Sequence, residues 1–442
     1  MLSEDKLTSR HVKWILASFF TWTFDLYDLF IILLVTPYIS SLFFPSQVPL
    51  LSIAATYAGF LVSFIMRPFG AGYFGTKIAD KVGRKRAIIY GIIGLVITTS
   101  LQGALPTFYT AGILAPTLLI LLRLIQGFFI GGVTAGSHTI GPESVPERHR
   151  GWVGGIGFAA AGAAYLIASL WFYATTIWFP GNSYLDLGWR VMFFSGLFPL
   201  IILFYVSYIT PESEVWSKVK QRGQLVKSPL REIFKNIELR RKFFIALIVT
   251  VGWALMYYLT QGLFPTFLSN VNSLPRPSVG IVMIFASLGM LIGPVIGGAL
   301  SQLIGRKTMS LIGSIIVIIM SPLFLILGGL TINELNLIIL LAFTISFIAD
   351  FGGGIVMTYL NETYPTQVRG TGVALTWNIG FAIGGSSPTI VTLILNAVGG
   401  FPKFPLVMTV AIIVAGIIEL IGTLLSPETK GAISKEKALM GE

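Results

Sequence analysis

Apolar residues run for about 20 or more positions at a time along this chain, long enough as a helix to cross the hydrocarbon of a bilayer. Twelve such runs stand out, at roughly 13–39, 50–76, 86–105, 115–141, 151–178, 189–210, 242–268, 277–303, 306–330, 335–360, 370–396 and 404–426. None shows the strict polar–apolar alternation of a half-buried strand. The pattern therefore predicts an all-α integral membrane protein with twelve transmembrane helices. One long hydrophilic stretch, "PESEVWSKVKQRGQLVKSPLREIFKNIELRR" at 211–241, splits the twelve into six and six. The expected organisation is an N-terminal six-helix bundle (1–210), a central loop (211–241), and a C-terminal six-helix bundle with a short tail (242–442).

The two halves repeat each other. "DKVGRKR" (80–86) matches "QLIGRKT" (302–308), "ESVPERHRG" (143–151) matches "ETYPTQVRG" (362–370), and "PES" (211–213) matches "PET" (427–429). The three offsets are nearly equal, so the bundles read as parallel duplicates, an arrangement that places a binding site at their interface near the bilayer midplane.

Composition agrees with the pattern. Of 442 residues, 54% are apolar and only 11% charged, with a mean hydropathy of +0.82, whereas soluble domains carry about 25% charged residues. The 48 glycines suit close helix packing in lipid. A net charge of +11 raises the question of nucleic acid, and its distribution answers it. With a cytoplasmic N-terminus, 25 of the 30 Lys and Arg fall in cytoplasmic segments, the exceptions being Arg67, Arg123, Arg190, Arg276 and Lys403. Such asymmetry marks the side of the membrane, so both termini are expected in the cytoplasm and no nucleic-acid partner is expected. The chain has no cysteine, which excludes disulfides, thiolate metal sites and thiol nucleophiles. Its polar start, "MLSEDKLTSRHVK", lacks a cleavable signal, so the first apolar helix is expected to be kept.

The repeated loops also carry a resemblance. Thr76-x-x-x-Asp80-Lys81-x-Gly83-Arg84-Lys85 is similar to the loop 2–3 signature of the major facilitator superfamily, Arg123-Leu-Ile-Gln126-Gly127 to its helix-4 motif, and "PETKG" (427–431) to its C-terminal one. Within that superfamily, "MRPFGAGYFG" (66–75), "FPTFL" (264–268) and "ETYPTQVRGTG" (362–372) resemble the metabolite (organic acid):proton symporters and the sialate and monocarboxylate symporters. The substrates of those branches are organic acids or zwitterions. "TFDLYDLFIILLVTP" (23–37) is similar to helix 1 of phosphate:proton symporters, although "GGVTAG" (131–136) lacks their helix-4 carboxylate. The resemblance implies alternating access in the cell membrane, cavity-lining helices 1, 4, 7 and 10, and an Arg123 linked to proton transfer or anion attraction. A buried arginine reaching toward the outer headgroups is the plainer reading of Arg123.

Ionisable residues inside the spans are costly and mark function. At 1.5 Å per residue, Asp25 and Asp28 lie about 18 and 23 Å from Lys13, Arg67 about 20 Å from Asp80, and Asp350 about 18 Å from Glu362. Arg123, about 30 Å from Glu143, is expected in the outer leaflet. Ser18, Thr21, Asp25 and Asp28 share one helix face. Burial favours a neutral carboxyl group and a nearby arginine favours a charged one. At least one of the two aspartates is therefore expected to bind and release a proton, with both facing Arg67; a static Asp–Arg pair is the alternative. The proton-coupling set is Asp25, Asp28, Arg67, Arg123 and Asp350, the last also able to bind a cationic group or serve a local hydrogen bond. Glu419, alone in helix 12, reads as structural, and His138 as a packing histidine.

Aromatic and amide groups on cavity helices, Trp253, Tyr257 and Gln261 on helix 7 and Trp377 and Asn378 on helix 11, are the candidate substrate contacts. The same stripe also suits a packed core. Asp80, Gly83, Arg84, Glu143 and Arg150, with Gly305, Arg306, Glu362 and Arg369 in the second half, read as gate residues whose ion pairs hold one conformation.

The expected function is a proton-coupled symporter of a small organic acid or similar metabolite, working as a monomer with substrate and protons as its only small partners and the bilayer as its medium. An inorganic phosphate or sugar symporter and a transporter-like receptor that binds without moving substrate are the rivals. No cofactor or metal is expected. No nucleotide-binding loop or nucleophile–base cluster appears, so an enzyme is not expected.

Overall fold

The structure, a computed structural model, describes residues 7–74, 78, 84–137, 145–200 and 229–434. Every described regular element is helical. The first half contains α1 (Ser9–Phe43), α2 (Pro49–Tyr73), α3 (Arg84–Gly103), α4 (Leu114–Ser137), α5 (Arg150–Trp178) and α6 (Trp189–Phe194). The second contains α7a (Ile237–Tyr257) and α7b (Leu263–Asn270), α8 (Arg276–Ile304), α9a (Arg306–Met320) and α9b (Leu323–Gly328), α10a (Leu335–Phe351) and α10b (Gly353–Thr363), α11a (Arg369–Gly385) and α11b (Ser387–Val398), and α12 (Phe404–Leu425). Among the described residues, ten helices are long and apolar enough to cross a membrane, and α3 supplies a shorter apolar segment, Ile89–Gly103. The sixth expected span is described only to residue 200.

Local chemistry sets the ends and the breaks. Thr8 caps α1: its Oγ1 accepts from the His11 N–H at 3.4 Å, while the His11 ring accepts from the Thr8 N–H at 3.1 Å. Asn236 caps α7a through the Glu238 and Leu239 N–H groups. Pro322 and Pro388 stand where helices 9 and 11 break, since proline lacks the N–H that would continue the ladder. Helix 10 breaks at three consecutive glycines, 352–354. Helix 7 is continuous but widens to one π-helical turn over Tyr258–Gly262, a distortion common at functional sites. The outward-facing side chains are apolar, as at Leu303, Ile319, Leu340, Leu406 and Leu424, which suits contact with lipid tails.

Across the middle, α5 lies against α8 and α10b, and α2 against α11b. Backbones approach closely at Gly155, where a Cβ would meet the Pro294 carbonyl; small residues make such packing possible. The halves are pinned at both ends. On the side carrying the repeated basic motifs, called the basic end below, the Gly151 N–H donates to Gln302 Oε1 at 3.0 Å. Toward the other side Tyr38 bonds Ser269 (2.7 Å), the Tyr57 hydroxyl donates to the Gly262 carbonyl (3.0 Å), and Tyr165 donates to the Gln261 carbonyl (2.8 Å). The groups between these contacts are enclosed.

Candidate functional site: the seam between the bundles

Three buried carboxylates meet three different environments. Asp28 turns into the first bundle. Its Oδ1 accepts from Thr99 Oγ1 at 2.9 Å and from Gln126 Nε2, and its Oδ2 faces Arg123 Nη1 at 3.4 Å. Arg123 also donates to Gln126 Oε1 at 2.7 Å and stands above the Phe60 ring at 5.8 Å. Arg123 is 1% exposed. Its guanidinium is thus enclosed by the first bundle beside Asp28 rather than reaching out toward headgroups.

Asp25 faces the seam. Arg67 is its electrostatic partner, yet the two do not form a direct ion pair, and Asp25 Oδ1 and Arg67 Nε have no hydrogen-bond partner. Arg67 lies over the Phe64 ring at 3.9 Å and within electrostatic range of Tyr257 and Tyr258 of the second bundle. The expectation that both aspartates share Arg67 is therefore corrected. Three residues apart on a helix is a rotation of about 60°, enough to send one carboxylate to α3 and α4 and the other to α2 and the seam.

Asp350 ends α10a beside the glycine break. It is fully buried; its Oδ2 accepts from Gln261 Nε2 on the π-helical turn, while its Oδ1 has no partner. Ser346 Oγ faces Gln261 Oε1 at 3.4 Å. Gln261 is thereby committed to holding Asp350 rather than free to meet a ligand. Asn378, another candidate contact, donates to the Ala374 carbonyl of its own helix at 2.8 Å.

The remaining candidates gather. Trp253, Tyr257 and Trp377 line one aromatic box with Trp22, Phe158 and Phe381. Trp377 stacks on Phe381 at 4.3 Å, Trp253 meets Phe158 edge-on at 4.7 Å, and Trp22 lies 5.4 Å from Trp377. The Tyr257 and Tyr258 hydroxyls and Trp253 Nε1 are buried without a partner. Trp22, Phe158, Tyr258 and Phe381 were missed by sequence reasoning. Phe381 had a signal, four residues beyond Trp377 on one face; Phe158 had none, since it arrives from helix 5.

At the basic end the second-half residues expected to form a gate come together. Arg306 grips Glu362 with two parallel bonds, Nε to Oε2 at 3.1 Å and Nη2 to Oε1 at 3.0 Å, and Thr429 Oγ1 donates to the same carboxylate at 3.0 Å. Glu428 caps α9a by accepting from the Arg306 and Lys307 N–H groups at 2.9 and 3.1 Å. Gly305 takes φ 102°, a left-handed value that favours glycine. Arg150 reaches across to Ser434 at 3.2 Å, and Arg369 Nε donates to the Tyr364 carbonyl at 3.0 Å. Of the first-half gate, Asp80, Gly83 and Glu143 lie outside the described residues, as does His138; Arg84 opens α3.

Comparison with known proteins decides the family. The sequence profile of the Major Facilitator Superfamily matches residues 14–388. The chain belongs to that superfamily. It is similar to the proline/betaine transporter of Escherichia coli K12, 28% identical over 371 residues, covering 81% of this chain and 73% of that protein. The inner membrane metabolite transport protein YhjE of the same organism is 29% identical over 393 residues, 86% of each chain. The glycine betaine/proline/ectoine/pipecolic acid transporter OusA of Dickeya dadantii is 28% identical over 370 residues, covering 81% of this chain and 72% of that protein. Among solved structures, a D-xylose-proton symporter superposes with a TM-score of 0.72 at 18% identity, over 95% of this chain and 99% of that one. This major facilitator protein is therefore a multi-pass transporter of the cell membrane, not an enzyme. The organic-acid and phosphate branches read from its motifs go beyond what these matches carry.

Proposed function

We propose that this major facilitator protein is a proton-coupled symporter of a small zwitterion, a carboxylate joined to an alkylated ammonium, imported by alternating access with the basic end in the cytoplasm. One observation carries the reading. At the seam, a buried arginine and two buried carboxylates with unpartnered atoms surround an aromatic box. A guanidinium suits a carboxylate. Aromatic faces and a nearby carboxylate suit a quaternary or secondary ammonium. The names of the relatives, proline/betaine and glycine betaine/proline/ectoine/pipecolic acid transporters, agree with that chemistry. This narrows the organic-acid expectation to acids that also carry a cation.

In the proposed cycle, substrate carboxylate competes with Asp25 for Arg67, and Asp25 takes a proton as it loses its cation. Asp350 balances the ammonium. The halves, 1–210 and 242–442 joined by 211–241, rock about the seam in a functional monomer. The Arg306–Glu362 pair, with Arg150, Arg369 and their first-half counterparts Asp80, Gly83, Arg84 and Glu143, closes the basic end until it must open.

Uptake of labelled glycine betaine, proline, succinate and phosphate into proteoliposomes, with and without an imposed proton gradient, tests this. Gradient-driven accumulation of a zwitterion is expected. Accumulation of succinate or phosphate instead would overturn the substrate class, and gradient-independent uptake would overturn the coupling. Binding without uptake would mark a receptor.

A further inference from the structure

Another buried carboxylate takes no part in the site described so far. Glu419, on α12, is 2% exposed. Its backbone lies so close to α7a that a Cβ at Gly252 would collide with it. Its Oε1 accepts from Ser310 Oγ on α9a at 3.3 Å, and Ser310 Oγ is 3.0 Å from Thr423 Oγ1, one turn along α12. Those hydroxyls open onto a small cavity of about 10 Å³, lined by Ser310, Thr423, Tyr359, Ser426, Arg306 and Lys307 among others, room for about one water. Lys307 is partly exposed at the basic end. A hydroxyl path thus leads from the basic end to Glu419.

The other side of Glu419 points to the seam. A Cβ at Gly352, in the helix 10 break, would meet Trp253 Cδ1 at 3.2 Å, Glu419 Oε1 at 3.6 Å and Trp253 Nε1 at 3.7 Å. Glu419 therefore sits behind Trp253, whose ring forms a wall of the aromatic box. No cation answers it among the described residues. From α7a it faces Gly252 and Trp253; from α9a, Ser310. Arg306 is committed to Glu362, and Lys307 Nζ to the Leu424 carbonyl at 2.9 Å. From helix 10 it faces Gly352, Asp350 being held by Gln261 and the Tyr359 hydroxyl bonded by Ser426 at 2.9 Å. A buried carboxylate with one hydroxyl neighbour and no cation is far cheaper neutral than charged.

We propose that Glu419 is a second proton-exchange site, belonging to the C-terminal bundle and filled from the basic end through Thr423 and Ser310. Ser310 passes its hydroxyl proton to Oε1 and takes one from Thr423, which takes one from a cavity water. The net change is one proton moved from water to carboxylate, with no bond other than O–H altered. The neutral form suits the closed packing of α7a, α9a and α10 around Glu419, and loss of the proton favours opening at the Gly352–Gly354 break beside Trp253. This rests on the proton-coupled reading above.

The test uses the full-length protein in liposomes with Glu419→Gln, whose amide oxygen still accepts from Ser310, and Ser310→Ala, which keeps the carboxyl and cuts the path. Infrared difference spectra on a pH jump should show a carboxylic C=O band that Glu419→Gln removes and Asp25→Asn leaves, and Ser310→Ala should slow its appearance. Betaine binding should persist in Glu419→Gln while the pH dependence of gradient-driven uptake flattens. A wild-type band and pH profile in Glu419→Gln would overturn the proposal. So would a band that Ser310→Ala leaves unchanged in rate, a reading that stands even if Glu419→Gln fails to fold. A wild-type protein without gradient response would sink the symport reading separately, since the infrared band needs no transport.

Discussion

Asp28 and Asp25 are one turn apart on the same helix, with nearly the same burial, yet they belong to different machines. Asp28 has a donor on each oxygen and an arginine in contact, all from its own bundle. Asp25 has an arginine nearby but not bonded, an unpartnered oxygen, and neighbours from the opposite bundle. A polar network closed within one rigid body is a fastener, because nothing in a rocking cycle changes its partners. Unmet polar groups between two bodies that move are where substrate or proton can exchange contacts. On the proposed cycle, the difference gives Asp28 a structural part and Asp25 a transport part.

The contrast is broken most strongly from the Asp28 side. Asp28→Ala leaves Arg123 buried without its carboxylate, and removing one partner of a buried pair costs about 3–5 kcal/mol. The purified protein should melt far earlier than wild type in a thermal-shift assay, and Asp28→Ala with Arg123→Leu should recover part of the loss. Equal melting of wild type and Asp28→Ala would show that the network fastens nothing.

Next in size is the seam arginine. Arg67→Lys keeps the charge but loses the planar fork, and hydrogen bonds to charged groups contribute about 1.5–3 kcal/mol. Affinity for a zwitterion, read by isothermal titration, should fall by about one to two powers of ten, with little change in melting. A loss of stability matching that of Asp28→Ala would erase the distinction drawn between the two arginines.

The aromatic box gives a smaller effect. Trp377→Leu removes one ring face, worth about 0.5–2 kcal/mol to a bound cation. Binding of a quaternary ammonium carboxylate should weaken by that amount, while a plain carboxylate of equal size is unaffected. Equal weakening of both would make Trp377 a packing residue.

The all-helical membrane fold was readable because it rests on a long signal, the run of apolar residues in each span. The paired roles of Arg306 and Glu362 were only half readable. The motif named both, but their contact joins residues 56 apart in sequence. Partner choice among Asp25, Asp28, Arg67 and Arg123 was not readable from depth alone. Which arginine an aspartate meets depends on helix rotation and on which helices lie side by side. Gln126 was within reach of inspection, three residues from Arg123 in the helix-4 motif, but its bond to Asp28 needs α1 and α4 side by side. The aromatic box is the hardest kind of site to read: its walls come from helices 1, 5, 7 and 11, and each ring alone looks like core.

The smallest expected change in stability is also the sharpest test of the comparison. Asp25→Asn keeps the shape of the side chain and removes a charge that no direct ion pair holds, so melting should shift far less than in Asp28→Ala. Gradient-driven accumulation should nevertheless vanish, because the amide takes up no proton, while substrate exchange across the membrane at equal pH persists. The two outcomes together separate coupling from folding in one residue. If Asp25→Asn still concentrates substrate against a gradient, coupling lies elsewhere, with Asp350, whose Oδ1 has no partner, the remaining candidate at the seam and Glu419 behind it. If instead it melts like Asp28→Ala, the two aspartates are parts of one fastener, and the seam's unmet groups need another explanation.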